Sequence, residues 1–425
     1  MSSDQSGLAA RARSLIGSVM TAGLITAAFC CTASAYTEKT LYTFCQDRNC
    51  KDGSGPEGLS IDASGTIYGV TQFGGKYGYG TVYEFSPAFG THTVLHSFCR
   101  PPDCRDGAQP RSGNLVVDTT GNLYGTAEVG GNRRQKGVVF ELSPGSSGWH
   151  ETVLYKFCHD KLCTDGGDIV DRLTYAGEAT GQLYDGESPL YGTAEGGLQG
   201  GGIVYSITPN AGQTPTFAVL YSFCALTNCP DGKGPSSLSL DSAGNIYGVT
   251  AFGGPNQGGT VFQLAPAGST YTESVLHSFC AKSSCTDGQG PDALVLDARG
   301  NFVGSTAFGG KYEGTLFKMA LNNSQWQYKV LARFTRPYGF QPGVAIIDGS
   351  GNVFGAASSG GATYGGTIFE FNSGGLQTLY SFCPAKGCAD GNQPAGLVED
   401  ANGNLYGVAY KGGHKNKGTL FELSP

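Results

Sequence analysis

Short runs of β-branched and aromatic residues alternate with polar, glycine-rich segments along almost the whole chain. Between Gly234 and Phe279 these runs are "LSLD", "NIYGVT", "GTVFQL" and "SVLHSF". Such runs, bounded by turn residues, are typical of β-strands. The first two are joined by Asp-x-x-Gly-Asn, a tight-turn signature in which Asp accepts hydrogen bonds from nearby backbone amides. The segment therefore predicts four short antiparallel strands.

This four-strand pattern repeats along the chain. The glycine that closes the "NIYG" type of run occurs in seven copies: Gly69, Gly125, Gly192, Gly248, Gly304, Gly355 and Gly407. Seven units of four strands predict an all-β fold, a seven-bladed β-propeller of four-stranded antiparallel blades. A solenoid of stacked units is the alternative.

The two ends of the repeat region complement each other. Residues 39–44, "KTLYTF", form a fourth-strand run with no first three, and residues 418–425, "GTLFELSP", form a third-strand run with no fourth. We expect the ends to pair and complete one blade, which leaves no open sheet edge.

The first 35 residues have a different composition from the rest. Arg11 and Arg13 precede a short apolar run, and small residues follow up to Ala35. This order is typical of a secretory signal peptide. An uncleaved anchor or a lipidated Cys30 or Cys31 is the weaker interpretation, since Gly, Ser and Thr interrupt the run. We expect a signal peptide at 1–35, one propeller domain at 36–425 without a membrane span, and a periplasmic or extracellular location.

The connection from the fourth strand to the next unit carries two cysteines, as in "SFCAKSSCTDGQGP". One unit, residues 334–342, lacks both cysteines and the Asp-Gly together, so local disulfides are favoured over bonds between blades. Zinc is the rival interpretation, but two thiolates without a neighbouring His fall short of four ligands. The six predicted pairs are Cys45 with Cys50, Cys99 with Cys104, Cys158 with Cys163, Cys224 with Cys229, Cys280 with Cys285 and Cys383 with Cys388.

The recurring "LYG(V/T)", "GG...GGTVF" and "VLYSF" elements resemble the Gloeo/Verruco (GloVer) tandem repeat of exported, choice-of-anchor bacterial proteins, over essentially all of residues 36–425. The resemblance implies export and repeat architecture, and it brings no catalytic activity. Family members often end in an anchoring segment. This chain departs from that pattern by stopping at Pro425 directly after a strand, so we do not expect the family's anchoring segment here.

Strand order places the cysteine loops and the loops between second and third strands on one face, the candidate binding face. Each cysteine loop carries an Asp that either caps its turn or contacts a ligand: Asp52, Asp106, Asp165, Asp231, Asp287 and Asp390. Three aromatic residues of the other loops, Phe73, Phe252 and Phe308, either pack between blades or stack on sugar rings. Interblade packing is the favoured interpretation.

The third unit departs from the others and concentrates carboxylates at Asp165, Asp168 and Asp171, near the expected central channel. Solvation of a divergent loop is the first interpretation, and a Ca²⁺ ion held by these oxygens is the alternative. No other cofactor is expected.

With a net charge of -7, nothing indicates the basic face that a nucleic-acid partner requires, and no such partner is expected. No nucleophile with a matching base appears in a suitable context, so no catalytic residue is assigned. We expect a recognition module for a polysaccharide, an envelope component or a protein. The alternatives are a metal-dependent, lactonase-like or lyase-like propeller enzyme and a structural matrix component.

Overall fold

The computed structural model describes residues 36–111, 113–169, 171–210, 212–297, 299–310 and 313–425. Residues 1–35, which carry the predicted signal peptide, lie outside this set.

The described residues form seven four-stranded antiparallel sheets, as the repeat predicts. In chain order the strands are β1 (Thr37–Thr43); β2 (Ser54–Ile61), β3 (Ile67–Phe73), β4 (Thr81–Ser86), β5 (Thr91–Ser97); β6 (Val116–Val117), β7 (Leu123–Ala127), β8 (Val138–Gly145), β9 (Gly148–Lys156); β10 (Thr174–Tyr175), β11 (Leu190–Ala194), β12 (Ile203–Thr208), β13 (Thr216–Ser222); β14 (Lys233–Leu240), β15 (Ile246–Phe252), β16 (Thr260–Ala267), β17 (Thr270–Ser278); β18 (Gln289–Leu296), β19 (Phe302–Phe308), β20 (Thr315–Asn322), β21 (Gln325–Arg333); β22 (Phe340–Ile347), β23 (Val353–Ser359), β24 (Thr367–Asn372), β25 (Gly375–Ser381); β26 (Asn392–Glu399), β27 (Leu405–Lys411) and β28 (Thr419–Ser424). Short 3-10 turns occur at Glu178–Thr180, Ser283–Cys285, Arg336–Tyr338 and His414–Asn416.

The sheets are the blades of a seven-bladed β-propeller. Blade 1 contains β2 to β5, and blades 2 to 6 follow in chain order. Blade 7 is assembled from both ends of the repeat region, because β1 pairs antiparallel with β28 and places Thr37 opposite Ser424. The predicted closure of the ring is confirmed.

The glycine that recurs in every second strand has a steric role. Gly248 lies opposite Phe262 on the third strand, and a Cβ atom on Gly248 would stand 2.6 Å from Phe262 Cζ. The aromatic ring covers the glycine and fills the space between sheets, so a side chain at this position is excluded. The same relation holds in all seven blades, for example between Gly69 and Tyr83.

The inner strand of a blade, next to the central channel, is β26 in blade 7 and the first strand in chain order in every other blade. A hydrogen bond near the start of each inner strand joins neighbouring blades. Gly290 donates its N–H to the carbonyl of Gly258 in the preceding blade, at 2.9 Å, and Gly55 donates to Lys417 across the seam, also at 2.9 Å. The donors have φ values between 50° and 68°, a conformation that glycine adopts without strain. The seven donors are Gly55, Gln109, Asp168, Gly234, Gly290, Gln341 and Gln393.

The opposite face of the ring carries the Asp-x-x-Gly-Asn turns. Asp241 Oδ1 accepts hydrogen bonds from the N–H groups of Ala243 and Asn245, both at 2.9 Å. The predicted turn chemistry is confirmed, and these turns bound the lower end of the central channel.

Candidate binding face and central channel

Each cysteine pair forms a disulfide within its own loop, so the predicted local pairing is confirmed for all six pairs. The disulfides join Cys45 to Cys50, Cys99 to Cys104, Cys158 to Cys163, Cys224 to Cys229, Cys280 to Cys285 and Cys383 to Cys388. With its thiols bonded to each other, no pair is available as a zinc ligand set, and the rival interpretation of these loops is wrong.

The second cysteine of a pair also joins the two kinds of loop. The carbonyl of Cys285 accepts from Gly288 N–H at 2.9 Å and from Gly310 N–H, in the loop between second and third strands, at 2.8 Å. The carbonyls of Cys50, Cys104, Cys163, Cys229 and Cys388 accept the same pair of bonds in their own blades. Both kinds of loop therefore build one surface, called the loop face below.

The repeated aspartates fold back into their own loops. Asp231 Oδ2 accepts from the Tyr221 hydroxyl at 3.1 Å and from Cys224 N–H at 2.9 Å. Asp390 has the same kinds of partner in Tyr380 and Cys383. Backbone N–H groups of the loop also bond to Asp52, Asp106, Asp165 and Asp287. The geometry gives each of the six a structural role.

The three carboxylates of the third unit take separate partners. Asp165 accepts from the Tyr155 hydroxyl at 2.8 Å. Asp168 forms an ion pair with Lys136 of blade 2, and Asp171 accepts from Ser237 N–H of blade 4. Within the described part of the chain, no group of three or more His, Cys, Asp or Glu side chains is arranged to hold a metal ion.

Three phenylalanines present partly exposed rings on the loop face. Phe73, Phe252 and Phe308 are 39%, 63% and 49% exposed. Each is the last residue of the second strand of its blade. Its ring contacts the glycine that directly precedes the proline on the inner strand of the same blade. A Cβ atom on Gly290, for instance, would be 3.5 Å from Phe308 Cδ2.

The glycine and the phenylalanine occur together. Blades 2, 6 and 7 carry glutamine in place of the glycine, and Val129, Ser359 and Lys411 in place of phenylalanine. A Cβ atom at each of these glycines would be 3.5 or 3.6 Å from the phenylalanine ring, so a longer side chain there would compete with the ring for space. Sequence reasoning favoured interblade packing, whereas the structure packs the rings on glycine and leaves much of them exposed.

Apolar exposure is concentrated on the loop face. Among the described residues thirteen large apolar side chains are exposed, and eight of them belong to this surface. Beside the three phenylalanines they are Tyr79, Leu162, Leu198, Leu226 and Tyr364. In blade 6, which lacks a disulfide at its entrance, the Arg336 guanidinium lies over the Tyr364 ring at 4.3 Å from its centroid.

A cavity of about 670 Å³ occupies the central channel. It is bordered by the inner strands of blades 3 to 7 and by Asn114 of blade 2. The inner strands of blades 1 and 2 touch instead, since a Cβ atom on Gly58 would lie 2.3 Å from the carbonyl carbon of Gly113. The channel is therefore displaced from the centre of the ring.

Part of blade 3 lies at the lower end of this channel. Ala179, in its 3-10 turn, lines the cavity and also a second cavity of about 370 Å³ beside the Asp297 and Asp348 turns of blades 5 and 6. Glu178 forms an ion pair with Arg172 and accepts from the Thr174 hydroxyl, which holds the turn in place.

Two carboxyl groups on inner strands were missed by sequence reasoning. Asp292 Oδ1 accepts from the Ser305 hydroxyl at 2.8 Å. Its side chain is open to solvent in the channel, and partial desolvation by the surrounding strands raises the pKa of Asp292 to about 7. Burial likewise raises the pKa of Glu57 to about 7, although Arg111 opposes the shift. The available signal was their position directly after the inner-strand proline, where blades 4, 6 and 7 carry Ser, Gly and Ala.

The Gloeobacter/Verrucomicrobia repeat matches residues 17–188 and 178–421. The chain belongs to this repeat family. No curated protein matches it significantly. In the described residues no helix is long and apolar enough to cross a membrane.

Several solved structures align with this chain at low sequence identity. Two structures of the extracellular domain of BT4673 from B. thetaiotaomicron align with TM-scores of 0.54 and 0.55 at 13% and 12% identity. The alignments cover 91% of this chain and only 40% and 39% of the BT4673 chains. A gluconolactonase from Xanthomonas campestris aligns with a TM-score of 0.42 and 14% identity, covering 91% of this chain and 89% of the other. The likeness to BT4673 concerns the propeller fold alone.

Proposed function

We propose that this repeat protein is exported and binds a polysaccharide on the loop face. The observation that carries the proposal is the set of three exposed phenylalanine rings at one position of the repeat, Phe73, Phe252 and Phe308. Flat aromatic rings stack well on the apolar faces of sugars, and their burial by a ligand removes apolar surface from water.

The backbone beneath these rings is rigid. This favours binding because little conformational entropy is lost on association. Each ring rests on backbone whose N–H is bonded to the preceding blade, as for Gly290 and Gly258. Closure of each small disulfide ring contributes about 2 kcal/mol by loop entropy. Phe252 and Phe308 lie on adjacent blades, so one extended chain of sugars can contact both.

Export is supported by the six disulfides, since such bonds form and persist in oxidising compartments. The amino-terminal pattern around Arg11, Arg13 and Ala35 supports the same proposal.

The test is retention of the oxidised protein on a panel of insoluble polysaccharides, with and without a chelator, while released sugars are measured. We expect retention without release of products, and its loss when Phe73, Phe252 and Phe308 are all replaced by Ala. Phe89→Ala is the matched control, because Phe89 is 83% exposed on a turn of the opposite face. Unchanged retention of the triple variant would refute the proposed surface, and product release would indicate an enzyme.

A further inference from the structure

We propose that the central cavity is a second binding site, separate from the phenylalanine surface, that takes a small hydroxylated amine such as an amino sugar. It is distinct from the predicted metal position, because Asp165 bonds to Tyr155, Asp168 pairs with Lys136 of blade 2, and neither aspartate lines the cavity.

The charge of the cavity wall favours a cation. Glu178 is neutralised by Arg172, and its second oxygen accepts from Thr174. Asp292 faces the same cavity with only the Ser305 hydroxyl as a side-chain partner. No described residue forms an ion pair with Asp292, so its carboxylate is an unbalanced negative charge in the wall. An ammonium group would balance it through a charge-assisted hydrogen bond.

The rest of the wall suits a hydroxylated ligand. Asn114, Gln341 and Ser358 supply amide and hydroxyl groups, and Val295 and Leu397 supply apolar surface. A volume of about 670 Å³ lies within the range of small-molecule sites. A wall of this composition can hydrogen-bond sugar hydroxyls and pack against the carbon atoms of the ring.

Blade 3 determines the direction of approach. Its turn at Glu178–Thr180 lies across the lower end of the channel, so access from that side is obstructed. Ala307 and Ser358 line the upper part of the cavity, and Ala307 directly precedes Phe308 on the loop face. A ligand therefore enters from the loop face.

The experiment is calorimetric titration of the oxidised full chain with chitosan oligomers, and with their fully N-acetylated counterparts, which lack the charge. It is run at about pH 7, where Asp292 and the amino groups of the oligomer are both ionised in part. We expect one site per chain and affinity for the charged oligomer at least about tenfold higher. Asp292→Asn should lower that affinity at least about tenfold, whereas Asp103→Asn, the same charge change on an exposed loop, should leave it unchanged.

Ala307→Trp tests the same site by steric block, with no change of charge. It should abolish binding while the melting temperature stays near that of the parent protein. Equal binding of both oligomers, no binding of either, or full binding by a folded Asp292→Asn or Ala307→Trp chain would overturn the proposal. Loss of binding on replacing Phe252 and Phe308 but not Asp292 would place the amine on the phenylalanine surface and overturn it too. The retention assay above decides the polysaccharide proposal independently.

Discussion

The hydroxyl of Tyr42, on the closing strand β1, donates a 2.9 Å hydrogen bond to Asp52 in the first disulfide loop. The same bond joins Tyr155 to Asp165, Tyr221 to Asp231 and Tyr380 to Asp390. The Asp of the cysteine loop thus fastens the loop to the outer strand that precedes it.

Replacement of this Asp should therefore affect stability. We expect Asp231→Ala to lower the free energy of unfolding by about 1–3 kcal/mol, because the Tyr221 hydroxyl and Cys224 N–H lose their acceptor. Denaturant unfolding under oxidising conditions measures it, with the exposed Asp103→Ala as control. Equal stability of both variants would show that Asp231 does not hold the loop.

The recurring glycine of the second strand provides a steric prediction. Gly248→Ala should lower the free energy of unfolding by about 1–3 kcal/mol, because the new methyl group would overlap the Phe262 ring. Gly349→Ala is the control, since a Cβ atom there meets nothing within 4 Å. A thermal melt that does not distinguish the two variants would contradict this role.

Asp292 should make the fold less stable as the pH rises. Its pKa is about 7 in the folded chain and about 4 in an unfolded one, so the folded state binds more protons between these values and loses stability as pH increases through them. We expect Asp292→Asn to raise the melting temperature relative to the parent at about pH 8 and to change it little at about pH 4. An equal difference in melting temperature at both pH values would contradict the raised pKa of Asp292.

His277 should have the opposite effect. Burial lowers its pKa to about 4, and its ring stacks on Tyr328 with centroids 3.8 Å apart. Its contribution to stability is present above the unfolded pKa of about 6.5 and is lost as pH falls towards 4. Tyr221 and Tyr380 occupy the position of His277 in other blades. We therefore expect His277→Tyr to make the melting temperature less sensitive to acid between about pH 4 and 7. The same substitution at the exposed His414 should leave the acid sensitivity of the melting temperature unchanged.

The parts that could be predicted from the sequence are those with a local pattern. Strand period, the Asp241 turn and the spacing of Cys280 and Cys285 are each set within a few residues, and their repetition yields the ring. The cavity could not be predicted, because Asn114, Arg172, Asp292 and Leu397 come from separate blades and meet only after closure. The packing of Phe308 on Gly290 required the register of β18 and β19.

The seam between β1 and β28 sets an order of events during biogenesis. Blades 1 to 6 are each made from one continuous stretch, so they can form before the whole chain has been made. Blade 7 cannot form early, because β1 is made first and pairs with β28, which is made last. Contacts between residues so far apart in the sequence form slowly. Six disulfides formed early would hold the loops of the blades in place until β28 is available to pair.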